Sequence, residues 1–340
     1  MKFSLDKDTQ FVNKWMDFAS YTVSYRRVCI MITAEKIGLF RHLSTIGSAS
    51  VKELSKELNV DEKGLQLLIE CLQALGFVNK MEESFSLADQ WADLLTEGSS
   101  MSLNSELQSA DSAVREWLGL ADILLGHKNV SEEYSQSLFK GQCHKYLALQ
   151  AYNRVQAYPI IVKLLSLFES ANEILDLAGA DGYIADAVLS QTSNPNITIV
   201  DLEDANNKCS EMFQEHVNSG RLTLISKDIR ELDLIKTFDI VMLTEVTELF
   251  DFSEKKRVIE NAIRHLNKDG VMIITKITSD AELNSEALAL FSLKMYLKSK
   301  GSYLETDLEL SLILNDLGID FNSFKSDDKT VFVCRKRVLN

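Results

Sequence analysis

The stretch from Glu173 to Asp201, EILDLAGADGYIADAVLSQTSNPNITIVD, reads as a strand, a tight turn of small residues, a helix, and a second strand that ends on an acid. Asp201 follows Gly182 by 19 residues, the spacing of a βαβ nucleotide-binding unit in which that acid meets a ribose. Ala178, Gly179, Ala180 and Gly182 let a ligand approach the backbone closely, with alanine at two places where glycine is usual. A tight packing turn between strand and helix would show similar small residues. The spacing of the acid is what adds a ligand to the reading.

At 340 residues the chain has room for two domains or one large one. Its 46% hydrophobic and 25% charged residues are ordinary globular values. A net charge of -14 opposes a surface for nucleic acid or anionic membrane. No apolar run is long enough to span a bilayer, and the start MKFSLDKDTQ lacks the apolar centre of a signal peptide. A soluble, cytoplasmic protein is expected. Cys29, Cys71, Cys143, Cys209 and Cys334 are scattered, without a CxxC pair or histidine-spaced cluster, so reduced, packed thiols and no metal site are expected.

Residues 9 to 40 carry apolar positions at helical spacing with no turn cluster between them, among them Phe11, Trp15, Phe18, Val23, Ile30 and Ile37. A face so apolar needs a partner surface, and that the partner is a second copy, making a homodimer, is expected on fold analogy rather than from the periodicity. From Ser50 to Val78, two short helices joined by Asn59 to Lys63 precede segments around Val78 and Phe85, together spelling a winged helix, with Gly76 closing the second helix. Charge decides against DNA there. Val51 to Lys80 holds four lysines and five acids, and Met81 to Glu97 five acids and no base, a net of -6 where phosphate binding needs the opposite sign. Residues 101 to 170 read as helical, with Trp117, Phe139, Tyr146, Tyr152 and Tyr158 as core aromatics, some of which can line a pocket.

Beyond Ala171 strands and helices alternate. Strands are expected at Leu222 to Ser226, Phe238 to Leu243, Val271 to Lys276, Ile319 to Phe324 and Thr330 to Cys334, with helices near 203 to 218, 253 to 267, 284 to 299 and 305 to 316. The alternation predicts an α/β fold with a doubly wound parallel sheet. Ser253 is the expected cap of the helix carrying Val258, Ile259 and Ala262, and Lys268 to Gly270 the turn into the next strand. Ligands of such sheets lie beyond the strands' carboxyl ends, here Ala178 to Gly182, Asp201, Asp228 and Thr244 to Asp251.

In this order the pieces resemble, along nearly the whole chain, the two-domain S-adenosylmethionine-dependent O-methyltransferases that act on small molecules of secondary metabolism. DLAGADG (Asp176 to Gly182) is similar to that family's cofactor loop, VDL (Val200 to Leu202) to its ribose-binding acid, and SKDIRE (Ser226 to Glu231) to the strand end beside the adenine. GSYLETDLELSLILNDLGI is similar to its closing pattern. The resemblance implies a class I, Rossmann-like methyltransferase sheet with an N-terminal α-helical winged-helix dimerisation domain. Domains would run 1–100 (dimerisation and winged helix), 101–170 (a helical connector contributing to the substrate pocket) and 171–340 (cofactor binding). S-adenosylmethionine would contact Asp176, Ala178, Gly179, Gly182, Asp201, Leu202, Asp228, Ile229 and Thr244. Asp201 would accept two ribose hydroxyl bonds, and Asp228 with Ile229 would offer the adenine an acceptor and an apolar wall.

At the chemistry the sequence departs from the family. The family's strand matching FDIVMLTEVTELFDF is followed by a histidine that deprotonates the substrate hydroxyl, and ungapped alignment from Asp239 puts Glu248 there, with Leu249 and Phe250 at the family's Asp and Trp. Glu248 is therefore the expected base, and burial would have to raise its pKa for that work. His265 falls at a helix end, His42 and His216 lie elsewhere, and His127 or His144 of the connector could reach a cleft. Three functions follow in order: methyl transfer to a small molecule, other chemistry (cyclisation, hydroxylation or decarboxylation) in the same cofactor pocket, and a non-catalytic binding or regulatory role.

Overall fold

The computed structural model describes residues 5–97, 99, 102, 104–127, 147–278, 286–298 and 302–337. Contacts divide the chain into two compact units, Met1–Leu118 with Tyr146–Ala148, and Gly119–Lys145 with Leu149–Asn340. Phe139, Cys143, His144 and Tyr146 lie outside the described residues.

In the first unit, the expected continuous helix of 9 to 40 is broken twice. Helices α1 (Leu5–Val23) and α2 (Tyr25–Lys36) part at Ser24, whose hydroxyl donates to the Tyr21 carbonyl, and Gly38, at φ 76, separates α2 from α3 (Leu39–Ile46). β1 (Ser48–Ser50) leads into α4 (Val51–Leu58) and α5 (Glu62–Ala74), followed by the wing β2 (Val78–Met81) and β3 (Ser84–Leu87). Ser50 and Glu53 close α4 with a reciprocal capping box, and Asp61 caps α5 by accepting from the Gly64 N–H at 2.6 Å. The small sheet runs β1-β3-β2, and Leu54, Leu65, Ile69 and Leu72 pack beneath it with Phe40 and Phe85. Helices α6 (Asp89–Leu95) and α7 (Asn104–Leu118) complete the unit.

From Leu120 the elements are α8 (Leu120–Leu124), α9 (Leu147–Lys163), α10 (Leu165–Ser170), β4 (Glu173–Leu177), α11 (Tyr183–Gln191), β5 (Asn196–Asp201), α12 (Glu203–Met212), α13 (Gln214–Asn218) and β6 (Leu222–Ser226). Then come β7 (Phe238–Thr244), α14 (Phe252–Arg264), β8 (Leu266–Ile277), α15 (Glu286–Lys298), α16 (Asp307–Asp316), β9 (Ile319–Ser326) and β10 (Lys329–Lys336). Among the described residues the sheet has seven strands in the order β6-β5-β4-β7-β8-β10-β9. Alternate side chains serve opposite faces: Leu175, Val241 and Met272 pack on α14 and α16, while Ile174, Ile240 and Val271 pack on α9, α10 and α11.

The alternation predicted a parallel sheet, and the observed sheet departs from that at one edge. β10 runs antiparallel to both β8 and β9, because the two-residue turn at Asp327 and Asp328 makes β9 and β10 a hairpin, with no helix to cross over. Helix 203 to 218 breaks at Phe213, which leaves the helical region at φ -120 and packs against the sheet. Asp251, rather than Ser253, caps α14, its carboxylate accepting from the Glu254 N–H at 2.8 Å. Lys268 to Gly270 lies inside β8: Phe238 pairs with Leu266 and Ile240 with Val271, so extra residues bulge there.

The chain travels outward through β4, β5 and β6 and returns to place β7 on the other side of β4. That reversal opens a crevice at the carboxyl ends of β4 and β7, where ligands of open α/β sheets bind.

Candidate active site

β4 ends in the loop Ala178 to Gly182, in which Ala178, Ala180 and Gly182 take left-handed φ values of 58, 51 and 79. For alanine this costs of order 1–2 kcal/mol per residue, and hydrogen bonds hold it in place. The Ala178 N–H donates to the Val200 carbonyl at 2.8 Å and the Ala180 N–H to Asp201 Oδ2 at 2.7 Å. A side chain at either glycine of the loop would force its neighbours to shift. A Cβ on Gly179 would lie 2.7 Å from Asp176 Oδ2, and one on Gly182 would meet Cys209 Sγ. Ala180→Gly is expected to stabilise the protein by about 0.5–1 kcal/mol, relief of the left-handed strain exceeding the added freedom of the unfolded chain. A urea midpoint lower than the parent's would contradict that strain.

Beneath this loop Asp176 is fully buried with neither carboxylate oxygen hydrogen-bonded, and burial, helped by the charge of Asp201, pushes its pKa up to about 7. Asp201, at the end of β5, accepts from the Ala180 N–H through Oδ2 and from the Leu202 N–H at 2.6 Å through Oδ1. Burial raises its pKa and those two bonds oppose the rise. Each oxygen keeps a second lone pair for a ligand. Asp228 caps the short 3-10 turn Ile229–Glu231 and is gripped by Arg230, with Nη2 2.6 Å from Oδ2 and Nε 3.0 Å from Oδ1. Burial alone would raise its pKa, yet the Arg230 bonds hold it below the usual carboxylate range.

A cavity of about 310 Å³ opens over these groups. Ala178, Asp201, Leu202, Asp228 and Ile229, five of the residues named from the sequence, line it together with Val246 and Phe250. Its lining mixes the two acids with aliphatic and aromatic side chains, a combination that suits a ligand with hydroxyl groups and a flat apolar part. Gly179, Gly182 and Asp176 shape the loop behind it, and Thr244 faces elsewhere. Sequence reasoning missed Lys227 and Arg230 in this lining, although Arg230 stands two residues from Asp228 and could have been paired with it.

Thr244 lines a second cavity of about 410 Å³ between α9, α10 and the sheet. Its walls are Ile160, Leu164, Phe168 and Ile184, and its floor holds Thr244, Glu245, Thr275 and Lys329. Glu245 has φ 50, and its carboxylate sits 2.8 Å from Lys329 Nζ. A glutamate in that backbone region costs about 1–3 kcal/mol, a strain that clusters at ligand sites.

Glu248 lies on the turn Thr247–Leu249, 3% exposed, and in the lining of neither cavity. Around it, Glu305 accepts from Thr247 Oγ1 at 2.6 Å and binds Lys255 Nζ at 2.7 Å, both wholly buried, while Glu245 holds Lys329. Two ammonium groups thus neutralise two of three carboxylates. Glu248, with Oε2 unbonded, is the third, and burial first, then the charges of Glu305 and Glu245, push its pKa up to about 8. His265 does structural work: Nδ1 donates to the Asn261 carbonyl at 2.7 Å and Nε2 accepts from the Leu234 N–H at 3.1 Å. His216 pairs with Asp186 at 3.2 Å, and His127 is exposed.

Residues 149–316, which contain both cavities apart from Lys329, match the family described as Methyltransferase domain. The chain carries a methyltransferase domain. S-adenosylmethionine is the cofactor of such a domain, as the resemblance implied. No curated protein matches the sequence. Solved structures share the methyltransferase's fold over nearly its whole length. An O-methyltransferase family protein from Burkholderia thailandensis is 19% identical with a TM-score of 0.77, covering 96% of this chain and 98% of that one. Human N-acetylserotonin methyltransferase, in complex with S-adenosylmethionine, is 18% identical (TM-score 0.73; 99% and 100% covered). The mitomycin 7-O-methyltransferase MmcR is 15% identical (TM-score 0.78; 97% and 99% covered).

Proposed function

We propose that this methyltransferase moves the methyl group of S-adenosylmethionine onto a hydroxyl oxygen of a small molecule of secondary metabolism. The observation that carries the reading is the carboxyl end of β7, where consecutive residues serve adjoining cavities: Glu245 the apolar cleft with a polar floor, Val246 the cavity with Asp201 and Asp228. An acceptor in the first and a cofactor in the second would be held across a single strand end. The cofactor supplies an electrophilic methyl. The chain's contribution is chiefly orientation, with Asp201 on the ribose, Asp228, Ile229 and Leu202 at the adenine, and the loop of Ala178, Gly179 and Gly182 close to the remainder. Glu248 is the base of this reading, since a carboxylate with a pKa of about 8 is a stronger base than an ordinary one. Its burial outside both linings favours the second reading, other chemistry in the same cofactor pocket. Radiolabelled methyl from S-adenosylmethionine appearing in an extracted small molecule separates the two: cofactor binding without label transfer would favour the second.

The protein is also read as a cytoplasmic homodimer. No helix among the described residues is long and apolar enough to cross a membrane. On α1, Trp15, Phe18 and Tyr21 are 56%, 67% and 74% exposed in the single chain, an apolar face that a second copy would cover. Light scattering at micromolar concentration is expected to give twice the 38.3 kDa of one chain. A mass of one chain would remove the dimer.

A further inference from the structure

The floor of the larger cleft carries a charged pair that methyl transfer itself does not require. Lys329 opens β10 with its side chain 5% exposed, and its ammonium is 2.8 Å from Glu245 and 3.7 Å from Asp328. Both residues line the cleft, and the Glu245 side chain, 26% exposed, is the more accessible of the two. Lys329 has two carboxylate neighbours, Glu245 in the cleft and Asp328 outside its lining, so its charge is already met by acids. Glu245 is held there at some expense in backbone strain, at φ 50, with its N–H donating to the Thr275 carbonyl at 2.7 Å. Above it the walls are aliphatic and aromatic: Ile160, Leu164, Phe168 and Ile184, with Met242 and Ile273 from the sheet.

We infer that Glu245, oriented by Lys329, anchors the acceptor through a hydrogen bond that the acceptor donates, so the cleft takes flat apolar molecules ending in a neutral hydroxyl or amino group and rejects carboxylates. This rests on the reading of the cleft as the acceptor site. A desolvated donor to an ionised carboxylate forms a strong bond. A ligand carboxylate would instead meet like charge with its remaining lone pairs unpaired. Lys329 is the positioning residue: removing it frees the Glu245 side chain and leaves the floor more negative.

Equilibrium dialysis of the full-length protein with 2-naphthol and with 2-naphthoate, each with S-adenosylhomocysteine present, tests the selection. The parent is expected to bind 2-naphthol at least 10-fold more tightly than 2-naphthoate, the scale of one hydrogen bond to a charged group. Glu245→Gln should weaken 2-naphthol about 10-fold and erase the preference. Glu245→Asn, a residue that tolerates left-handed backbone, checks the result should the glutamine variant fold poorly. Lys329→Gln should weaken 2-naphthol while keeping 2-naphthoate excluded, an asymmetry that mere loosening of the floor would not give. Equal affinity of the parent for both probes, no binding of either, or an unchanged preference in both Glu245 variants would overturn the inference. Binding of radiolabelled S-adenosylmethionine and methyl release are measured alongside. Intact methyl transfer with no selection sinks only this inference, and selection without methyl transfer sinks only the methyltransferase reading.

Discussion

Glu248→Gln is expected to gain stability over the parent as pH rises, and to lose turnover. The carboxyl keeps its proton in the folded protein up to about pH 8, whereas its ordinary value is 4.5. Between those values the unfolded chain has released a proton that the folded one still holds, so parent stability falls with rising pH and levels off above about 8. At roughly 1.4 kcal/mol per unit over the span from 4.5 to about 8, the group withholds of order 4–5 kcal/mol by pH 8. Glutamine fills the same space and has no proton to lose. Urea unfolding should therefore show the variant near the parent at pH 4.5 and well above it at pH 8. Asp176, with the same sign between 3.8 and about 7, is present in both proteins and drops out of the difference. A gap that stays constant with pH would mean Glu248 is not held protonated. In methyl transfer, loss of the base should cut turnover by roughly 100-fold and abolish a rise in rate through about pH 8, with cofactor affinity nearly intact. Unchanged turnover would move proton removal elsewhere while leaving methyl transfer standing.

Asp201→Ala should weaken S-adenosylhomocysteine by roughly 10- to 150-fold, the equivalent of about 1.5–3 kcal/mol for hydrogen bonds to a charged group. The structure adds a second loss. The same carboxylate accepts from the Ala180 and Leu202 N–H groups, so the alanine variant also releases a loop that holds two alanines in left-handed conformations. Asp201→Asn retains an acceptor and should fall between alanine and the parent. Calorimetry with S-adenosylhomocysteine reads the three proteins, and equal affinities would remove Asp201 from the ribose.

The βαβ unit and the winged helix were legible because each depends on contacts between near neighbours, whereas the one helix start read from the sequence, Ser253, fell two residues past the true cap Asp251. The 19-residue separation of Gly182 and Asp201 and the alternation in β4 to β8 are both local patterns. From them came the order of elements, and with it the cavity shared by Ala178, Asp201, Leu202, Asp228 and Ile229. The antiparallel β10 escaped, since a two-residue turn reverses a strand that its own alternation cannot orient. The larger cleft and its charges escaped for a stronger reason. Glu245 meets Lys329 across 84 positions, Lys255 meets Glu305 across 50, and Thr247 meets Glu305 across 58. Only folding decides which carboxylate each lysine neutralises. Ungapped alignment located Glu248, but its protonation follows from three carboxylates closing around two ammonium groups where water cannot reach.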